Sequence, residues 1–362
     1  PDNIRDGRRI FEGQRDIPHG PLLTDVAHGT WQFGTLYPGK FAVVGPSAGW
    51  ISFETYTGPA FSTNLFGWAA RSSNTLNQVE NLAKRAVYAI HGTADDNVPI
   101  AQMYQMLDVL EPVVPDLHSH EEPGAGHWWN GELAEGADCV DWPPLMDLMQ
   151  DRTLDLIELD FTFVSPSPHV SPTHSYATIQ SSLTPAEGSR LVSTFVDGAV
   201  TLVTENVRGM VLDGAALTAK GVISITVDGQ DYAVTDAPIA VGLQDGKTPD
   251  VNGPLAQVFQ QPFCLTWMAD GPIQYPQYAA LLLTQWNIIG NGTGCAVPLD
   301  QLTDEIRADH NIIYLGVPFA QIDVPPSTRL SWDDAAVQVD EQAYGPGLLA
   351  AVFPENGRLG AT

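Results

Sequence analysis

Three stretches of this 362-residue chain hold side chains that can carry out acyl transfer if the fold brings them together. "GPSAGW" (45–50) contains Gly45, Ser47 and Gly49 in the order G-x-S-x-G. That spacing holds a serine hydroxyl on a tight turn, ready to attack an acyl carbon. "HGTADDNVPIAQ" (91–102) places Asp95 and Asp96 after the end of a strand and before a helix that begins near Pro99. An acid at that point can orient a catalytic histidine, and a pair of helix-capping aspartates is the other reading. "EEPGAGHWWNGE" (121–132) puts His127 in a glycine-rich turn, 127 − 95 = 32 residues after Asp95. Ser47 has the letters of the motif without its surroundings. An elbow needs a helix directly after the nucleophile, whereas "AGWISFETYTG" is aromatic, β-branched and a poor helix starter.

Short apolar strands alternating with helical patterns between residues 28 and 150 would position these groups. "FAVVGPS" (41–47) and "AVYAIHG" (86–92) read as buried parallel strands, and "HSHEE" ends a further strand. "TLNQVENLAKRA" reads as a helix. "NVPIAQMYQMLDVLEP" puts Ile100, Met103, Leu107 and Leu110 on one helical face, with Pro99 in its first turn. Residues 151–246 become β-rich, with runs such as "RLVSTFVDGAVTLVTENV" cut by Gly, Asp and Pro turns, and predict a sandwich. Residues 247–362 mix strand-like "PFCLTWMADG" and "HNIIYLGVP" with helix-like "YPQYAALLLTQWNII", and predict a small α/β domain.

The segments "HGTWQFGTLYPGKFAVVGPSAGWISF", "HGTADDNVP" and "PGAGHWW…CVDWPP" resemble prolyl oligopeptidase-like serine hydrolases of the α/β-hydrolase fold. Later runs, "VTLVTENV", "GPLAQVFQQPF", "WNIIGNG" and "HNIIYLGVP", extend the resemblance over most of the chain from His28 onward. It implies that Asp95 is the triad acid, that His127 is the triad base, and that Asp96 caps the following helix. In such relatives the nucleophilic serine lies in a G-x-S-x-G-G just before "HGTW", and "PSAGW" belongs to the next strand. Counting back from His28 puts Thr24, in "PLLTDVA", where that serine would stand. The nucleophile is therefore Ser47, Thr24 or absent. Only 27 residues precede His28, fewer than the earlier strands of a complete α/β-hydrolase need. The expected architecture is α/β plus β: a truncated α/β-hydrolase-like domain (1–150), a β-sandwich (151–246) and a small C-terminal α/β domain (247–362). A start read out of frame is one account of the first residues. Codons allowed for Ile17 to Leu22, shifted by one base, permit Tyr-Leu-Thr-Gly-His-Ser, and the coding DNA tests this.

The expected activity is ester hydrolysis through an acyl-enzyme, with peptides as the other substrate class. A catalytically dead relative acting as a structural or binding protein is the alternative. Sixteen basic against 43 acidic residues give a net charge of −27, spread along the chain, with four lysines: Lys40, Lys84, Lys220 and Lys247. Nucleic acid and anionic membranes are repelled by such a surface, and no apolar run approaches a membrane span. The charge suits a salt-rich, halophilic setting or an ordinary acidic secreted enzyme. The resemblance implies a secreted or periplasmic protein, although "PDNIRDGRRI" is no signal segment. An exposed sheet edge predicts a homodimer.

Cys139, Cys264 and Cys295 have no zinc-site or CxxC spacing, so buried thiols are expected, with at most one disulfide as the alternative. No cofactor or metal is expected. His118 and His120, with Glu121 and Glu122, read as a strand edge. Asp228, Asp231 and Asp236 read as a solvated turn, since a calcium loop has regular spacing. Glu205 reads as structural, and Trp128 and Trp129 either line a pocket or close the core.

Overall fold

The computed structural model describes residues 23–24, 27–56, 71–130, 139–185, 187–244, 246–253, 255–289, 292–322, 330–332, 337–339, 342–344, 352–355 and 358–361. The frame-shift reading of residues 17–22 falls outside them. The chain divides into two compact units, residues 1–245 and 246–362.

The first unit opens with β1 (Leu23–Thr24), α1 (Ala27–Leu36), β2 (Val43–Gly45), the short helix α2 (Phe53–Tyr56), β3 (Ala86–Gly92), α3 (Ala101–Leu110), β4 (Leu117–Glu122) and α4 (Pro143–Asp151). The four strands form one sheet in the order β1-β2-β3-β4, and every pairing in it is parallel. β3 is buried along its length apart from half-buried Tyr88, because both of its faces are covered. Val87 and Ala89 pack with Trp31, Met103, Met106 and Leu110 on one side. Ala86 and Ile90 pack with Leu145 and Met149 of α4 on the other. Full burial of one such side chain stabilises the fold by about 1.5–3 kcal/mol.

Two local expectations are corrected. Residues 75–82 form a 3-10 segment in place of an α-helix, with Gln78 outside helical geometry. Its side chains are tied to other elements. Thr75 Oγ1 donates to Ile51 O, and Asn81 Nδ2 donates to Thr35 O and Val164 O. On α3, Met106 is buried and Leu107 only half-buried, so the apolar face lies slightly off the expected one.

β5 (Phe161–Ser165), β6 (Thr173–His174), β7 (Ala177–Ser182), β8 (Ser189–Val196), β9 (Ala199–Glu205), β10 (Val207–Leu212), helix α5 (Gly214–Ala219), β11 (Ser224–Val227), β12 (Gln230–Tyr232) and β13 (Ile239–Gly242) follow. They build two sheets, β13-β10-β7-β6 and β12-β11-β9-β8-β5, whose inner faces share one core around Phe163, Ile179, Leu191, Leu202 and Met210. The β8–β9 and β11–β12 hairpins turn on Asp197-Gly198 and Asp228-Gly229, all four at positive φ, as two-residue hairpin turns require.

These sheets and the parallel sheet belong to one compact unit. Asn81 clamps Val164 from both sides, since Val164 N also donates to Asn81 Oδ1 at 2.6 Å. Tyr37 OH donates to Val170 O, and Arg190 Nε donates to Glu80 Oε2 at 2.7 Å. Buried Arg85 pairs with Glu158, which also meets His174.

The second unit contains β14 (Phe263–Trp267), α6 (Gln274–Ile289), β15 (Cys295–Pro298), α7 (Asp304–Asp309), β16 (Asn311–Leu315), β17 (Leu330–Trp332), β18 (Val337–Val339), β19 (Gln342–Tyr344), β20 (Val352–Glu355) and β21 (Arg358–Ala361). Its main sheet has the order β15-β14-β16-β21-β20, parallel except for the β20–β21 pair. Cys264 and Cys295 face each other across paired strands with Cα atoms 4.3 Å apart and form a disulfide. Of the two readings of the cysteines, the single disulfide holds for this pair and the buried thiol for the third cysteine. The spacing of 31 residues gave no hint, because strand pairing alone set the two sulfurs side by side. Cys139 is a buried thiol.

Candidate active site

Parallel strands deliver their C-terminal ends to one edge of the sheet. Asp95 follows β3 and His127 follows β4, so neighbouring strands bring the two loops to the same edge. The loops are stitched together by their backbones. Thr93 N donates to Glu122 O at 3.0 Å, Ala94 N donates to Ala125 O at 2.8 Å, and Gly124 N donates to Thr93 Oγ1 at 2.7 Å. Gly92 makes this approach possible. A Cβ there would lie 2.4 Å from Gly126 O and 2.5 Å from Ala125 O.

The result is a short contact, with His127 Nδ1 2.8 Å from Asp95 Oδ2. The Asp95 side chain is fully buried and that of His127 is 19% exposed. Asp95 Oδ1 accepts from Asn97 N and Val98 N, both at 2.9 Å. Burial works to raise the Asp95 pKa. The Val98 amide, the His127 ring and the Asn97 amide oppose it and prevail, so the carboxyl sits below its ordinary value. An ionised carboxylate accepts only, so His127 Nδ1 carries the proton and Nε2 is left to take another. Asp95, and not Asp96, bonds the turn ahead of α3, through the Asn97 and Val98 amides. Asp96 makes no side-chain hydrogen bond among the described residues, and α3 begins without a side-chain cap.

His91 is a member of this cluster that sequence reasoning missed. It is buried at the end of β3, and its Nε2 lies 2.8 Å from Val98 O and 3.3 Å from Asp95 Oδ2. A carbonyl can only accept, so Nε2 carries the proton and the ring braces the acid loop from inside. Its position as the first residue of "HGTADD" was the available signal.

Ser47 stands elsewhere. It continues β2 and forms a parallel bridge with Ile90, with Ala48 N donating to Ile90 O and Ile90 N donating to Pro46 O, each at 2.9 Å. Ala48 turns at φ +49°, but no helix follows until the four-residue α2. No hydrogen bond links Ser47 to His127 among the described residues. Gly45 has a packing role. A Cβ on it would sit 2.8 Å from both Cδ atoms of Leu145, so the first glycine of the motif lets α4 approach β2. The strand that a helix follows most directly is instead β1, with α1 beginning at Ala27. Thr24 ends β1, paired with Gly45 of β2.

An aromatic stack joins α1 to the acid loop. His28, in the first turn of α1, stacks on Trp50 at 3.5 Å between ring centroids, and its Nδ1 lies 2.8 Å from Trp50 O. Burial lowers the His28 pKa, with the Trp50 carbonyl acting against it. Trp50 stacks in turn on Tyr56 at 5.3 Å, and Tyr56 OH donates to Asn97 O at 2.8 Å. Of the two tryptophans after His127, Trp128 is 69% exposed beside the imidazole, while Trp129 packs near Leu145 and Trp142.

The other polar clusters serve structure. His118 pairs with Asp116 and His120 with Glu122. Asp228 accepts from Thr204 N and Oγ1, Asp231 accepts from Thr226 Oγ1, and Glu205 pairs with Arg190. No group of three or more potential metal ligands occurs among the described residues.

The profile of the prolyl oligopeptidase family matches residues 39–139. An uncharacterized secreted protein of Arthroderma benhamiae is 28% identical over 217 residues, which are 57% of this chain and 23% of that protein. Among solved structures, an acylaminoacyl peptidase in complex with Z-Gly-Gly-Phe-chloromethyl ketone overlaps with a TM-score of 0.32 at 16% identity, covering 42% of this chain and 27% of its own. A thermostable esterase overlaps with a TM-score of 0.26 at 15% identity, covering 42% and 37%. The segment that matches the prolyl oligopeptidase family, residues 39–139, holds both Asp95 and His127.

Proposed function

We propose that this chain is a serine hydrolase acting on carboxylic esters, with short peptides as the second substrate class. The observation that carries the reading is the 2.8 Å contact from His127 Nδ1 to a buried carboxylate that also takes two backbone amides. A hydroxyl attacks the acyl carbon and its proton passes to His127 Nε2. Asp95 holds the ring and stabilises the imidazolium that forms. The tetrahedral intermediate collapses as His127 returns the proton to the leaving alcohol. Water, deprotonated by the same nitrogen, then releases the acid. Small esters are the first substrates to try, since the His127 side chain is 19% exposed beside the exposed Trp128.

Two hydroxyls are candidates for the nucleophile. Ser47 extends the strand next to the one that leads to Asp95, and a left-handed residue follows it. Thr24 ends the strand that precedes α1. The second reading, a non-catalytic relative of the family, is favoured by the lack of any hydroxyl hydrogen-bonded to His127 among the described residues.

Hydrolysis of p-nitrophenyl acetate and butyrate tests both readings, with Ser47→Ala, Thr24→Ala, Asp95→Asn and His127→Ala as variants. The hydrolase reading expects Asp95→Asn and His127→Ala to lower kcat by about 10³–10⁴-fold, together with one of the two hydroxyl variants. A parent chain inert to these esters and to a fluorophosphonate label establishes the non-catalytic reading.

A further inference from the structure

The second unit carries an apolar surface that the reaction does not use. α6 packs buried Ala279 and half-buried Leu282, Leu283 and Trp286 onto the core of this unit. On its other side Tyr278, Leu281 and Ile288 are 52%, 50% and 75% exposed. With exposed Gln274 and Gln285 they recur at steps of four, three, four and three residues, the seam of a helix pair. Ala280 and Thr284 beside the seam are small enough to let another helix approach. The outer side of α6 is uncharged, and its three large apolar side chains, set among Gln and Thr, form a face that association can cover.

Charge identifies the cover. The whole chain carries −27, so two copies repel over most of their surface. From Val251 to Leu299 the only charged residue is Asp270, and α6 has none. The edge strand β4 carries Glu121 and Glu122, which guard it against pairing. The seam is also self-complementary. An antiparallel copy centred on Leu281 sets Tyr278 opposite Thr284, beside Gln285, and Gln274 opposite Ile288, leaving no like charges face to face.

We propose that α6 is a self-association surface, on which a second copy of this chain docks its own α6 antiparallel across a two-fold axis. Sedimentation over a range of protein concentrations, at low salt and in roughly 1 M salt, tests it. The parent should pass from monomer to dimer with concentration, at lower concentration in high salt, where repulsion between the acidic bodies is screened. Leu281→Glu should remain monomeric. Gln285→Glu, a change of similar size at an exposed position, should weaken the dimer about tenfold at low salt and regain most of it at high salt. Ile223→Glu, at an exposed site of the other unit, should dimerise like the parent. Far-UV circular dichroism checks each fold, and if Leu281→Glu unfolds, Gln285→Glu decides. A parent that stays monomeric in every condition overturns the proposal. So does a dimer that Leu281→Glu and Gln285→Glu leave unchanged, since the contact would then lie elsewhere, on a sheet edge for example.

Discussion

Asp95 does two jobs with its two oxygens. Oδ1 takes the Asn97 and Val98 amides and fixes the loop, while Oδ2 takes His127 and fixes the ring. Buried carboxylates of this kind are held ionised by their donors, and that couples the site to stability. Its folded pKa lies below the ordinary 3.8. The carboxylate therefore contributes its full stabilisation above about pH 4, and loses it as pH falls through the lower folded-state value. Thermal melting of the parent and Asp95→Asn from neutral to acid pH should show a constant gap that closes only in strong acid. A gap that widened on acidification would contradict the assignment. Glu158 follows the same sign. Burial works to raise its pKa, and His174 and Arg85 together hold it down.

At the scale of elements, the site depends on two loops touching, and the contact runs through one glycine. Gly92 ends β3 where the backbone oxygens of Ala125 and Gly126 would be 2.4–2.5 Å from any Cβ. Gly92→Ala must push the His127 loop away from the acid loop. A shift of about 1 Å at a catalytic base costs about 10²-fold in rate. If the enzyme reading holds, Gly92→Ala should lose most of its kcat while retaining the parent's circular dichroism. Unchanged turnover would mean that the loops are not held as described. The aromatic series His28, Trp50, Tyr56 fixes the opposite side of the same acid loop through Asn97. The two arms hold the loop from the β1–α1 side and from the β4 side.

At the scale of the whole molecule, charge and cross-linking decide stability. A net charge of −27 makes the folded state repel itself, and salt screens exposed pairs within a Debye length of about 10 Å at 0.1 M. The melting temperature should rise between low salt and roughly 1 M salt. A fall across that range would remove the case for a salt-adapted surface. The disulfide is tested independently. In denaturant without reductant one thiol, Cys139, should react, and after reduction all three cysteines should. By chain entropy, closing the 31-residue span contributes about 3–4 kcal/mol, so reduction should lower the melting of residues 246–362.

The sequence by itself determined the parallel strands and put Asp95 and His127 in turns that follow two of them. Continuous apolar runs such as "AVYAIHG" have no other comfortable place than a sheet covered on both faces, and "HGTADD" and "GAGH" are short local segments whose turns follow from Gly, Asp and Pro. Side chains whose partners lie far along the chain were settled only by the tertiary structure. Ser47 has the letters of an elbow, yet Gly45 is there to admit Leu145, 100 residues later, and the strand that a helix follows most directly ends at Thr24. Cys264 and Cys295 meet because two parallel strands happen to be neighbours. Residues 75–82 have helical periodicity, but Asn81 bonds to Thr35 and Val164 and pulls the backbone into a 3-10 path. Periodicity and turn chemistry are properties of neighbours in sequence. Close approach, strand adjacency and side-chain clamps are properties of neighbours in space.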